Sequence, residues 1–228
     1  MILSTYPRLG AAISALALLT ACAGTSGSST PEGDLAQMLV DNAQAIADLE
    51  NEQGNTRTTM PTSGSATYTG TVTAWVADND TATNARVFAG EAEMTARFTN
   101  AGGSVTGRFD NFLAKDDVNK FALGNAIGAG DEAGVRDLLD GFSQADGSLT
   151  LSNGAIAAAE FTADLSGTLT HDGDRIAFGG TGEGQFVGRN AEGAKFYGST
   201  TATGGGNQIT ITENGAGRVG EVYANTTR

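Results

Sequence analysis

From Ala66 onward the chain alternates between apolar and polar side chains at every second position, and this rhythm limits what it can fold into. In the run 66–76, Tyr68, Gly70, Val72, Ala74 and Val76 share one face, and Thr67, Thr69, Thr71, Thr73 and Trp75 share the other. A period of two is that of a strand with one face buried and one in water. In 91–98, Ala92, Met94, Ala96 and Phe98 oppose Glu91, Glu93, Thr95 and Arg97. Val105, Gly107 and Phe109 then oppose Ser104, Thr106, Arg108 and Asp110. The joints Asp78-Asn79-Asp80 and Asn100-Ala101-Gly102-Gly103 are turn formers, so successive strands are expected to be antiparallel neighbours.

The alternation lapses from Lys115 to Asp146, where Gly124, Gly128, Gly130 and Gly134 punctuate the chain and Val135, Leu138, Leu139 and Phe142 suggest one short helix. This stretch reads as an inserted cap or lid. Strands resume at 148–152 and 156–165, the latter continuing to Thr170, and Asp172-Gly173 is a hairpin signal leading into 175–178. Further runs cover 185–187, 195–203, 208–212 and 218–223. Glycine is 33 of 228 residues and is spread through these runs, marking bends and tight interior positions. Closing such a sheet removes its exposed edges. The expected fold is mainly β: a small antiparallel barrel of eight strands, ten at most, preceded by an amphipathic helix and carrying a short helical insert.

Ahead of the barrel, Arg8 precedes an apolar run from Leu9 to Leu19, followed by Thr20-Ala21-Cys22. The layout is that of a secretory signal, too short for the roughly 20 apolar residues of a membrane span. Cys22 is the only cysteine. The stretch resembles the lipobox of bacterial lipoproteins, which implies cleavage after residue 21 and lipid on Cys22. Ala23, where an inner-membrane retention signal places Asp, implies the outer membrane. Residues 22–33 read as a flexible tether. In 34–53, Leu35, Met38, Leu39, Asn42, Ile46 and Leu49 recur at helical spacing, with Asp34 as the expected cap and Gly54 as the stop. The expected organisation is a signal over 1–21, the tether, a helix and loop over 34–63, and a barrel over 64–228 with its insert at 115–146.

Charge narrows the function. The chain carries 13 basic and 26 acidic side chains, and loss of Arg8 with the signal leaves 12 − 26, or −14. Nucleic-acid binding draws its affinity from Lys and Arg on phosphates, so no nucleic-acid partner is expected. With a single cysteine, no internal disulfide can form. Nor do catalytic groups converge. His171, the only histidine, sits before the Asp172-Gly173 turn, and with Asp172 and Asp174 it reads as part of a solvated turn without the spaced ligands of a calcium loop. Gly180-Thr181-Gly182-Glu183-Gly184 reads as a connection between barrel strands and lacks the helix a phosphate loop needs. No enzyme activity, metal or cofactor is expected.

A family resemblance rests on three blocks. Tyr68-Thr69-Gly70 opens the region, Phe161 to Gly167 lies in its middle, and Phe196-Tyr197-Gly198 is followed by Gly204-Gly205. This order resembles the barrel domain of the transferrin-binding protein B family of surface lipoproteins, with Leu165 where that family often has phenylalanine and no Glu-Leu pair before Gly204. The resemblance covers about residues 64–206 and implies a single eight-stranded barrel. Transferrin binding belongs to a larger two-lobed architecture and does not carry over. The motif residues themselves are expected to be structural, one of Phe196 and Tyr197 filling the barrel and the other covering its outside.

The leading expectation is an outer-membrane or surface lipoprotein that binds a host or environmental protein, or assists an outer-membrane receptor in nutrient uptake. A small-molecule carrier and a ligand-free envelope protein are the alternatives. Eight strands leave room for little beyond their own side chains. A filled interior is therefore expected, lined by Val72, Val105, Phe109, Phe178 and one of Phe196 or Tyr197. Partners would then meet the 77–85 loop, the insert or the 34–53 helix.

Overall fold

The computed structural model describes residues 31–54, 58–202 and 206–228. Helix α1 (Pro31–Gln53) precedes β1 (Gly64–Ala77), β2 (Asn84–Thr99) and β3 (Gly102–Asn119). Helices α2 (Lys120–Ala129) and α3 (Glu132–Leu139) lead through the two-residue β4 (Ser143–Gln144) to β5 (Asp146–Ala157) and β6 (Glu160–His171). The chain ends with β7 (Asp174–Val187), β8 (Gly193–Ser199), β9 (Ile209–Glu213) and β10 (Ala216–Thr227).

Eight strands close into an antiparallel barrel in the order β1-β2-β3-β5-β6-β7-β8-β10, with β10 returning to β1 through pairs such as Val72↔Ala224. Strand β4 pairs with β3 at its upper end. Strand β9 shares a lane with β8: β7 pairs with β8 over Glu183–Val187 and with β9 over Ile176–Gly180, and β10 does likewise with its two halves. One wall position is thus filled by two strands, β8 and β9, in turn.

Several boundaries differ from expectation for definable reasons. Helix α1 begins at Pro31, whose missing N–H and fixed φ suit a first turn, so Asp34 lies inside the helix and is not its cap. Its end is where Gly54 turns to φ +54° and donates its N–H to the Glu50 carbonyl at 3.0 Å. Strand β3 runs on to Asn119, so the helical insert begins at Lys120, not 115, and it holds two helices rather than one. Asn119 caps α2 by accepting from the N–H groups of Phe121 and Ala122, and Asp131 caps α3 by accepting from that of Gly134.

The segment 156–170 is not one strand either. The chain reverses at Ala158, which takes φ +56°, whereas Asn153 and Gly154, between the expected runs at 148–152 and 156–170, form a bulge inside β5. Similarly, Gly180–Gly184 does not connect strands. It lies within the unbroken β7, where a β-carbon on Gly184 would stand 2.0 Å from the Phe161 ring and one on Gly182 would stand 2.4 Å from the Phe196 ring. The alternate glycines of β7 are seats for two core aromatics.

Those rings belong to the filled interior. Phe186 has Tyr68, Phe98 and Phe161 around it at ring-centroid distances of 5.8, 5.6 and 5.2 Å, Phe109 meets Phe196 at 6.1 Å, and Phe88 meets Phe112 edge-on at 6.4 Å. Val72, Val105, Phe109, Phe178 and Phe196 all join this cluster. At the lower end the buried Tyr68 hydroxyl donates to the Ala191 carbonyl at 2.7 Å, and burial pushes its pKa up to about 12. A second, mostly aliphatic core lies outside the barrel. There Leu35, Leu39 and Val40 of α1 pack with Leu123, Val135 and Leu139 of the insert over Val87, Ala89 and Leu113 of the wall. The insert therefore braces the wall together with α1, instead of closing the barrel as a lid.

Candidate binding face

The outer wall over β1, β10 and β8 gathers aromatic side chains in one row. Trp75 pairs with Glu221, Thr73 with Tyr223 and Tyr223 with Tyr197, so alternation turns Trp75, Tyr197, Glu221 and Tyr223 to the outside together. The Glu221 carboxylate accepts from the Tyr197 hydroxyl at 2.8 Å and from the Trp75 indole N–H at 3.1 Å, which fixes both rings. Burial raises the phenol pKa values of Tyr197 and Tyr223, with Lys195 acting against the shift at Tyr223. Both stay neutral hydroxyls through the physiological range. Across the groove stands α2. Its first turn presents Phe121, 61% exposed, and places the Lys120 ammonium 3.9 Å from the Trp75 ring centroid.

Three hollows meet at Tyr223. One of about 640 Å³ is lined by Glu183, Lys195, Tyr197 and Asn207, and one of about 480 Å³ lies between the wall and α2, bordered by Trp75, Phe121 and Thr201. The third, about 270 Å³, separates α1 from α2 beside Thr71 and Gly128. Rigid rings, a fixed carboxylate and two neutral phenols form a surface suited to recognition.

Tyr68, Phe161 and Phe196 are brought together inside the barrel, while Tyr197 takes the outer position. Gly70, Gly167 and Gly198 lie within the strands that frame those rings. Cys22, Gly204 and Gly205 fall outside the described residues. Of the surfaces expected to meet partners, α1 has its apolar stripe buried on its own domain, and α2 of the insert flanks the groove. Trp75, Phe121, Glu221 and Tyr223 were not legible as a site. The one signal was Trp75, a large aromatic on an otherwise all-threonine face.

The upper mouth of the barrel carries a different chemistry. Arg86, its side chain 11% exposed, is held by Asp116, by Asp174 at 2.9 Å and by Glu213 at 2.6 Å, tying β2 to the opposite wall. Arg218 joins Glu213 at 2.7 Å and Asp78 at 3.3 Å. Hydrogen bonds from Arg86 and Asn214 hold the Asp174 carboxyl below the usual carboxylate range. His171 is not the solvated turn residue expected. It is the last residue of β6 on the inward face, 4% exposed, with its Nε2 2.9 Å from the Ser143 hydroxyl.

Comparison with known protein families, with curated proteins and with solved structures finds no match for this chain.

Proposed function

We propose that the chain is a lipid-anchored, non-enzymatic binding module of a bacterial outer membrane, akin to the transferrin-binding protein B-like surface lipoproteins, and that it holds a protein partner on the Tyr223 face. The observation that carries this reading is the contrast between a ring-filled interior and an outer wall whose aromatic side chains border three open hollows. Among the described residues, Phe88, Phe109, Phe112, Phe186 and Phe196 occupy the barrel interior. The occupant is an extended, basic segment of a surface protein: Glu160 and Glu183, with Lys195, border the 640 Å³ hollow, and the mature side chains sum to −14. Charged Glu91, Glu93, Arg97 and Arg108 on the outer faces of β2 and β3 speak against a lipid-facing wall. The lipid on Cys22 supplies the tether.

A photo-crosslinking residue at Tyr223, introduced into the protein in its own cells, tests this reading. A discrete basic protein captured there, and lost on Trp75→Ala, is the expected result. A stoichiometric small molecule in native mass spectra of the isolated protein, with no crosslinked partner, would overturn it in favour of a carrier.

A further inference from the structure

The mouth of the barrel brings to His171 the companions that its place in the sequence denies it. A ligating nitrogen of His171 and carboxylate oxygens of Asp116 and Asp172 all lie within 4.8 Å of one another, although Asp116 lies three residues before the end of β3 at Asn119 and the other two end β6 and open the β6–β7 turn. The imidazole is buried, and among the described residues its Nδ1 has no hydrogen-bond partner. Such a nitrogen costs stability unless something satisfies it. The Asp172 carboxylate is exposed and takes no part in the mouth's ion pairs, in which four carboxylates (Asp78, Asp116, Asp174, Glu213) already face two guanidiniums (Arg86, Arg218). The local balance is therefore acidic.

We infer that Asp116, His171 and Asp172 form a binding site for a first-row divalent transition-metal ion. One imidazole nitrogen and two carboxylate oxygens are the donors of a three-ligand zinc site, with water completing the shell. Bond lengths of about 2.0–2.2 Å need ligand atoms about 3.4 Å apart, which rotation of the two carboxylates supplies. Ligation by Asp116 competes with its two hydrogen bonds from the Arg86 guanidinium, which keeps Asp174 and Glu213 as partners. The bound ion staples the end of β3 to the β6–β7 turn, beside the point where the α2–α3 excursion leaves the wall, and so raises the thermal midpoint.

The test is calorimetric titration of the full chain with zinc chloride after removal of metal, alongside X-ray absorption of the zinc complex. The expected result is one ion per chain in a nitrogen and oxygen shell with an imidazole signature. Binding should weaken at least tenfold in Asp172→Asn and vanish in His171→Gln, while Glu93→Gln, on the outer face of β2 away from the mouth, changes nothing. Asp172 takes φ +50°, which asparagine tolerates, so that variant carries the test even if His171→Gln disturbs folding. Affinity unchanged in Asp172→Asn, a shell containing sulfur, or no binding at all would overturn the assignment.

Discussion

The two hydrophobic cores of this protein share the wall between them but are built on different terms. Inside the barrel, aromatic rings from β1, β2, β3, β6, β7 and β8 interlock, and two of them fit only because Gly182 and Gly184 carry no side chain. Outside, leucine and valine side chains of three helices lie on a patch of β2 and β3. The inner core depends on the register of a closed ring of strands, where one misfit is felt all round. The outer core depends on the docking of a helical layer that can loosen while the barrel stays closed.

Truncating the hub of the inner core should be the most damaging change. Phe186→Ala removes the ring that touches Tyr68, Phe98 and Phe161 and is expected to cost about 4 kcal/mol in denaturant unfolding. The matching change outside, Leu139→Ala, should cost about 2.5 kcal/mol. Its signature is selective: amide exchange should speed up in α1, α2 and α3 while the barrel strands keep their protection. Equal loss of protection in both regions would erase the distinction between the cores.

A third change sharpens the steric half of the comparison. Gly184→Ala sets a methyl group against the Phe161 ring and should cost about 2 kcal/mol. In the Phe161→Leu background the same substitution should cost less than half as much, since the atoms it strikes are gone. Full additivity of the two changes would mean that the glycine has another role. The smallest effect is expected at the lower end of the barrel, where Tyr68→Phe deletes the hydrogen bond to Ala191 at a cost of about 1 kcal/mol. The folded phenol ionises near pH 12 and the unfolded one near pH 10, so this tyrosine's contribution is complete below pH 10 and declines as pH rises toward 12. Unfolding free energies of the variant measured across that range should lack this alkaline loss.

Period-two alternation was enough to read a mainly β chain with a buried face, and the Asp172-Gly173 hairpin stands where its turn chemistry puts it, with both residues at positive φ. The helical spacing in 34–53 likewise announced a helix with a stripe to bury. Those are local properties, set by side-chain direction and backbone sterics within a few residues. What lay beyond local reading was which of two competing local signals the closed barrel would accept. The gap left between the expected strands at 148–152 and 156–170 became a bulge at Asn153 and Gly154, because the reversal at Ala158 keeps β5 and β6 paired from Ala157↔Glu160 to Asp146↔Thr170. The glycines of β7 looked like a loop, because nothing nearby in sequence shows the rings they seat. Trp75, Tyr197, Glu221 and Tyr223 come from three strands, and Asp116 meets His171 from 55 positions away. Their assembly was decided by strand register around a closed sheet, a property of the whole ring that no single stretch of the chain encodes.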